Sequence, residues 1–188
     1  MRTFHRFVAY DANDTLAEVI DYQLDGFDHT IFWEGRFLSD RIPNTVRLLM
    51  GDGKAGDFVV NPLSWPVCSE RMVSLLASRA AHDIQLFDAP LIDAETKVRI
   101  PGYKIVNVIR RVACLDVEKS EISYEQDQPT KIFVIYTIAI DSTKVDPNIH
   151  LFRLEAWPYT VIVSDELARD FAGRGFSGIA FEKCKTTR

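Results

Sequence analysis

The feature that most constrains this chain is a short pattern that occurs twice. Residues 67–72 read VCSERM and residues 162–167 read IVSDEL, so an apolar pair, a serine and an acid recur at an offset of 95 residues, from Ser69 to Ser164. A serine before a helix accepts a hydrogen bond from an unpaired backbone N–H, and an acid in the first turn complements the positive helix end. In both copies apolar residues at helical spacing follow, and then a short apolar stretch. The pattern predicts two similar strand–helix–strand units, with Ser69 and Ser164 as structural helix caps.

Short apolar segments outside these copies predict further strands. They lie at residues 4–10, 45–50, 57–60, 97–109, 131–140 and 150–154. Most of the strand segments that follow one another along the chain are separated by few residues, which favours antiparallel pairing between them. We therefore predict an α+β fold with largely antiparallel sheets, formed by a single domain over residues 1–188.

Three of these segments support more specific predictions. Residues 45–50 and 57–60 flank the sequence GDGKAG, which predicts a hairpin closed around an Asp-Gly turn. Residues 131–140 are almost uninterrupted Ile, Phe, Val, Tyr and Thr, which predicts a strand in the centre of a sheet. In residues 15–25, Leu16, Ile20 and Leu24 recur at helical spacing, and Thr15 stands three residues before Glu18 as in a capping box. That segment is predicted to be a helix.

The charge balance excludes several classes of protein. Twenty-seven Asp and Glu against 22 Lys and Arg give a formal net charge of -5, whereas a protein that coats nucleic acid or an anionic membrane needs a basic face. The first residues leave no room for the apolar core of a signal peptide, and no apolar run approaches the roughly 18 residues of a membrane helix. We therefore expect a cytoplasmic protein without nucleic-acid or membrane partners.

Candidate chemical sites are weak. Cys68, Cys114 and Cys184 are too few and too widely spaced for a disulfide framework or zinc knuckles, and are expected to be free. The glycines Gly51, Gly53 and Gly56 satisfy the G-x-G-x-x-G pattern of nucleotide-binding loops. That fingerprint also needs a helix that begins in the loop, and a strand is predicted instead.

A metal site is the other candidate. Asp25, Asp28 and His29 are close in sequence, but an exposed polar loop is the favoured interpretation because a metal needs convergent ligands. We therefore predict a protein that is not an enzyme and has no cofactor or metal. A small-molecule or nucleotide-binding enzyme that uses the glycine loop remains the alternative.

Acidic residues cluster in two segments. Residues 1–30 contain six acids against Arg2 and Arg6, and in the predicted helix Asp14, Glu18, Asp21 and Asp25 fall within an arc of about 60°. The second cluster consists of Asp116, Glu118, Glu121, Glu125 and Asp127, with Lys119 among them. Such clusters are usually only solvated faces. The functional interpretation is an acidic surface that meets a basic protein.

The two copies and the segments between them resemble a known family. The matching segments are VCSER at 67–71, YKIVNV at 103–108, Leu115-Asp116, HLFRL at 150–154, VIVSDEL at 161–167 and residues 175–181. In their order and spacing they resemble the bacterial polymorphic-toxin immunity protein family eleven, a myxobacterial-type immunity domain that was formerly a domain of unknown function. The resemblance covers about residues 58–182, so that residues 58–188 form the family-like part. Residues 1–57 form a divergent N-terminal part.

The resemblance implies a non-enzymatic protein that binds and neutralises a toxin from neighbouring cells, delivered for example by contact-dependent or type VI secretion. It brings no catalytic or ligand motif to these positions. Because such an interface is particular to one toxin, the divergent part is where it is expected, and Glu18, Asp21 and Asp25 are predicted to contact a basic toxin surface. An adaptor domain with another protein partner has the same sequence features and remains a further alternative.

Overall fold

The computed structural model of the chain describes residues 1–10, 15–39, 42–43 and 45–188. Its helices are α1 (Glu70–Ala80) and α2 (Asp165–Arg174), and short 3-10 helices occur at His29–Trp33, Ala81–Asp83 and Ser142–Lys144. The strands are, in chain order, β1 (Phe4–Ala9), β2 (Leu16–Ala17), β3 (Val19–Gln23), β4 (Arg47–Met50), β5 (Lys54–Ala55), β6 (Phe58–Val59), β7 (Val67–Ser69), β8 (Ile84–Asp88), β9 (Leu91–Asp93), β10 (Tyr103–Val108), β11 (Arg111–Val112), β12 (Glu121–Glu125), β13 (Gln128–Thr137), β14 (Ala139–Asp141), β15 (Leu151–Leu154), β16 (Val161–Ser164), β17 (Ile179–Lys183) and β18 (Lys185–Thr187).

Two split strand–helix–strand units dominate the architecture. The first is β7–α1–β8 and the second is β16–α2–β17. In each unit a third strand lies between the two and runs antiparallel to both, namely β10 in the first unit and β1 in the second. The offset of the sequence pattern is kept, because β8 begins at Ile84 and β17 at Ile179. The predicted α+β fold with similar strand–helix–strand units is confirmed.

Most pairings between strands are antiparallel, as predicted. The four-stranded sheet has the order β6-β7-β10-β8, and the five-stranded sheet has the order β11-β15-β16-β1-β17. A three-stranded sheet has the order β3-β4-β9. The parallel pairings, β2–β5, β4–β9, β11–β15 and β14–β18, each join only two or three residue pairs.

Both α-helices begin at a serine that satisfies the backbone. Ser69 Oγ accepts a hydrogen bond from the N–H of Met72 at 3.3 Å, and Ser164 Oγ accepts one from the N–H of Leu167 at 3.2 Å. α2 ends at Gly175, whose φ of 60° is the left-handed conformation that glycine adopts most readily at a helix end. The local chemistry of the sequence thus determines where both helices start and where α2 stops.

The two units share one apolar core between their helices. Met72 and Leu76 of α1 and Leu167 and Phe171 of α2 are buried in the same cluster. Phe7 of β1 packs edge to face against three other rings of this cluster, with centroids 5.2–6.0 Å apart. Burial of each such side chain contributes about 2–3 kcal/mol, so this shared core is a large part of what holds the units together.

Asp57 is a polar junction between the same two units. Its carboxylate accepts hydrogen bonds from Ser69 and Arg71 of the first unit, and from the backbone N–H and hydroxyl of Ser177 in the second. Burial alone would raise the pKa of Asp57, but the hydrogen bonds, with that from Arg71 first, lower it to about 2. The carboxylate is therefore charged at neutral pH.

Arg153 joins the five-stranded sheet to the segment that precedes β4. Its side chain is fully buried and donates to the carbonyls of Val108, Pro158 and Phe32 at 3.2, 2.7 and 2.8 Å. Burial lowers the pKa of Arg153 to about 10, so the guanidinium remains charged at neutral pH. Gly35 lies against this side chain, since a Cβ there would be 2.9 Å from Arg153 Cδ.

The predicted helix over residues 15–25 is wrong, because this segment forms β2 and β3. Ala17 and Val19 are buried whereas Glu18 and Ile20 are exposed, which is the two-residue period of a strand. β2 pairs with β5, and β3 pairs with β4, whose residues are distant in sequence. These long-range hydrogen bonds satisfy the backbone in place of helical ones.

The predicted hairpin around Asp52 and Gly53 is also wrong. β4 and β6 are both strands, but β4 pairs with β3 and β9, and β6 pairs with β7. The residues between them form β5, which pairs with β2. A turn motif predicts a reversal of the chain, but here the strands on either side of it join different sheets.

The strand predicted over residues 131–140 exists, but its predicted central position in a sheet is wrong. It forms β13 and β14, and β13 pairs only with β12 among the described residues, in a two-stranded hairpin. Ile132 and Ile135 pack against a core cluster that includes Phe152 and Ile162. The opposite side of the hairpin carries Phe133 and Tyr136, which are exposed.

Candidate functional site

The loop with Gly51, Gly53 and Gly56 is explained by packing. A Cβ at Gly51 would lie 2.8 Å from Ile20 Cγ2, and a Cβ at Gly56 would lie 2.9 Å from Leu16 Cδ1. Gly53 has a φ of 116°, which L side chains rarely adopt. β5 and β6 follow the first two glycines, and no helix starts in this loop. Each glycine thus has a structural role, and the helix N-terminus that a pyrophosphate needs is missing from the loop.

Among the described residues, Ser164 and His150 are the only hydroxyl and imidazole groups that are hydrogen-bonded to each other. Ser164 Oγ lies 2.9 Å from His150 Nδ1, and the same nitrogen accepts a hydrogen bond from Arg2 Nη2 at 3.2 Å. Burial, followed by the charge of Arg2, lowers the pKa of His150. Ser164 is fully buried and its oxygen also accepts from Leu167, so this pair holds the start of α2 and is closed to a substrate.

The three cysteines are free and buried. Burial raises the pKa of Cys68, and it raises the pKa of Cys114 and of Cys184 to about 12. All three are therefore protonated at neutral pH. A protonated, buried thiol is a poor nucleophile and a poor metal ligand.

Asp25, Asp28 and His29 do not converge on a common point. Asp28 accepts hydrogen bonds from the backbone and hydroxyl of Thr30, and these bonds lower its pKa. Asp25 accepts from Gln23, and the ring of His29 stacks edge to face on Trp33. Over the ranges that the structure describes, no group of three His, Cys, Asp or Glu side chains could hold a metal ion.

Glu18, Asp21 and Asp25 lie along one edge of the three-stranded sheet. Glu18 precedes β3, Asp21 is within it, and Asp25 follows it in the left-handed conformation with a φ of 47°. All three side chains are exposed. Asp11 and Asp14, which the sequence places in the same cluster, lie outside the described residues.

Two exposed apolar residues accompany these acids. Ile20 is the extra residue of a β-bulge, since the pairing with β4 passes from Val19 to Asp21, and Tyr22 is the next residue along β3. We call Glu18, Asp21 and Asp25 with Ile20 and Tyr22 the acidic edge. The helical arc is wrong, but each of the three acids is exposed.

The second acidic cluster divides into structural and exposed members. Asp116 is half-buried and accepts a hydrogen bond from Thr187 at 2.7 Å, so it joins two segments of the chain. Glu125 forms an ion pair with Lys131 at 2.8 Å. Glu118, Glu121 and Asp127 are exposed, and the last two lie on the β12–β13 hairpin beside the exposed Phe133 and Tyr136.

These exposed aromatic residues were not identified as candidates from the sequence. The apolar run that contains them predicts a buried strand. Their exposure accompanies register shifts between β12 and β13, which a run of apolar residues does not by itself indicate. The spacing of Ile132 and Ile135 is the signal that could have indicated them. Two buried residues three positions apart in a strand require an irregularity between them.

No helix in the described part of the chain combines the length and the apolar character needed to cross a membrane. No curated protein sequence matches the chain. A family model does match it, over residues 12–186, and therefore also over most of the N-terminal part in which the sequence motifs show no resemblance. That model describes the Immunity protein family (Imm11), and because the match covers nearly the whole chain, the chain belongs to this family.

Proposed function

We propose that the chain is a non-catalytic immunity protein, which binds a cognate bacterial toxin and neutralises it by occluding its active surface. Membership of the immunity protein family over residues 12–186 is the observation that carries this proposal. The toxin would belong to a polymorphic toxin system, with type VI secretion as one route of delivery, and would meet the immunity protein in the cytoplasm.

Occlusion of a toxin requires an exposed surface that is complementary to it. The acidic edge offers such a surface, and we propose that Glu18, Asp21 and Asp25 contact a basic region of the toxin. Ile20 and Tyr22 add apolar area between these charges. Opposite charges on the two partners accelerate their encounter and disfavour wrong partners, which suits a protein that must act on one toxin.

The excess of acidic residues supports the proposal that the protein binds neither nucleic acid nor membranes. The net charge of -5 disfavours binding to nucleic acid and to anionic membranes. The core cluster shared by both strand–helix–strand units supports a single domain over residues 1–188.

Co-expression tests the function. The probe is the toxic C-terminal domain of the large protein encoded by the adjacent gene, produced in a host that it kills. Expression of this chain should restore growth, and the two proteins should co-purify in a stable complex. A host that still dies, with no complex recovered, would contradict the proposal.

Charge reversal tests the acidic edge. Glu18→Lys, Asp21→Lys and Asp25→Lys are combined, and the control combines Glu95→Lys, Asp146→Lys and Glu155→Lys, which changes the net charge equally at exposed sites elsewhere. The first variant should bind the toxin domain at least tenfold more weakly at low salt, and with a smaller salt dependence than wild type. Equal affinity and equal salt dependence in the two variants would remove the acidic edge from the interface.

A further inference from the structure

The pairing of β12 with β13 shifts register at three places, and at two of them the residue of β13 that is passed over is an exposed aromatic residue. The register between the strands passes over Phe133 and Tyr136, which are therefore the extra residues of β13. Their side chains are 67% and 65% exposed. Bulges reorient side chains and are common next to functional sites. The most exposed aromatic residues of the hairpin thus occupy two of its three irregular positions on β13.

The bulges also explain how the hairpin remains attached to the protein. Ile132 and Ile135 are three residues apart, so in a regular strand they would point to opposite faces. The extra residue Phe133 between them places both isoleucines on the core side, where Ile122 of β12 joins them. The hairpin therefore buries its isoleucines and presents its aromatic residues to solvent. Tyr124 of β12 lies directly opposite Ile132 and therefore on the core side of the hairpin, so it is not part of the solvent-facing aromatic surface.

The charges of the hairpin are mostly negative. Residues 121–137 contain three acids, Glu121, Glu125 and Asp127, and one basic residue, Lys131. Lys131 is already paired with Glu125 at 2.8 Å, which leaves Glu121 and Asp127 as exposed anions. The surface is consequently aromatic and anionic at the same time.

We infer that this aromatic hairpin surface, formed by Phe133 and Tyr136 with Glu121 and Asp127, is a second contact site for the toxin, and that it binds arginine and lysine side chains on it. The inference rests on the proposed function. Guanidinium and ammonium groups stack on aromatic faces while carboxylates pair with their charge, so both features of the surface select the same partner chemistry. Exposed aromatic residues that become buried are typical energetic centres of protein interfaces.

A second copy of this chain is the other occupant to consider. Two copies that met through this surface would bring like charges together, because residues 121–137 carry more acids than bases. Like charges in contact disfavour association. The charge of the hairpin therefore favours a basic partner over self-association.

The test removes the rings and keeps the bulges. Phe133→Ser and Tyr136→Ser are combined, and the matched control combines Phe37→Ser and Tyr10→Ser, whose side chains are 68% and 54% exposed elsewhere on the surface. The probe is the same toxin domain as above, and its Kd is measured by calorimetry. The hairpin variant should bind at least tenfold more weakly than wild type and should rescue growth less well. The control should bind within about twofold, since it leaves the hairpin intact.

The outcomes separate the two proposals. If wild type binds and rescues while the hairpin variant binds equally well, the hairpin surface is not a contact site and the proposed function stands. If wild type neither binds nor rescues, both proposals fail. If sedimentation shows that wild type self-associates and the hairpin variant does not, with toxin affinity unchanged, the occupant is a second copy and the inference is overturned.

Discussion

Arg71 donates hydrogen bonds to both carboxylate oxygens of Asp57, from Nε to Oδ1 at 3.1 Å and from Nη2 to Oδ2 at 2.5 Å. The same carboxylate accepts from Ser177, more than one hundred residues further along the chain. One acid therefore joins the two strand–helix–strand units at the surface of their shared core. This junction is a sensitive point for the stability of the fold.

We expect Asp57→Asn to lower the free energy of unfolding by about 2 kcal/mol at pH 7, because hydrogen bonds to a charged group are lost. The pKa of Asp57 is lowered to about 2, so its contribution is present above the ordinary carboxyl pKa and is lost as the pH falls towards 2. Urea unfolding should show a smaller difference between variant and wild type near pH 2 than at pH 7. Asp88→Asn is the control, since this more exposed acid forms an ion pair with Lys104 and with no other of the described residues. A difference that does not change with pH would contradict the role of the charge.

We expect Arg153→Met to destabilise the protein by about 2–4 kcal/mol, because three carbonyls lose this donor and two of these hydrogen bonds are fully buried. Arg153→Lys should recover little of this loss, since a lysine ammonium cannot reproduce the planar fork of the guanidinium. Chemical denaturation of the three proteins measures the difference. A lysine variant as stable as wild type would show that charge alone matters at this position.

We expect Gly178→Ala to be far more harmful than Gly175→Ala, although both glycines have a positive φ between α2 and β17. A Cβ at Gly178 would lie 2.1 Å from the carbonyl oxygen of Phe58, whereas nothing lies within 4 Å of one at Gly175. The cost should be about 1 kcal/mol for Gly175→Ala, from the backbone conformation, and more than about 3 kcal/mol for Gly178→Ala. Thermal unfolding of both variants measures this. Equal losses would mean that Phe58 moves away at little cost.

We expect Ser69→Ala and Ser164→Ala each to destabilise the protein by about 1 kcal/mol, through the loss of a hydrogen bond at the helix start. Each serine also has a second hydrogen-bond partner, Asp57 for Ser69 and His150 for Ser164. The loss should be larger for Ser164→Ala, because Ser164 is fully buried whereas Ser69 is only partly buried. Hydrogen exchange should locate the faster amides in the first turn of α1 for one variant and of α2 for the other. If exchange accelerates uniformly in both variants, the serines do not act as local caps.

The parts of the fold that were predicted correctly are those that local chemistry determines. A serine, an acid and an apolar face within ten residues are sufficient to start a helix, and both α1 and α2 follow this rule. The strands on either side of them could be located for the same reason. The partners of these strands within the sheets could not be predicted. The insertion of β10 and β1 into the two units depends on pairing between segments that are remote in sequence.

The predictions failed where a sequence pattern has more than one structural solution. Leu16 and Ile20 have helical spacing, yet pairing with β4 and β5 makes the segment a pair of strands and leaves Ile20 exposed on a bulge. The apolar run of β13 predicts burial on both faces, yet bulges turn Phe133 outward. The exposure of Glu18, Asp21 and Asp25 was anticipated from a geometry that does not occur, and their role in binding stays a prediction.

The place of β1 in its sheet has a consequence for biosynthesis. β1 lies between β16 and β17, so residues 4–9 are made long before the two strands that flank them, which end at Lys183. The other strand–helix–strand unit has all its strands once Val108 has been made. On the ribosome the first unit can therefore assemble during translation, whereas the second can close only after the residues up to Lys183 have left the exit tunnel. Closure of the second unit is then the capture of an early strand by two late ones.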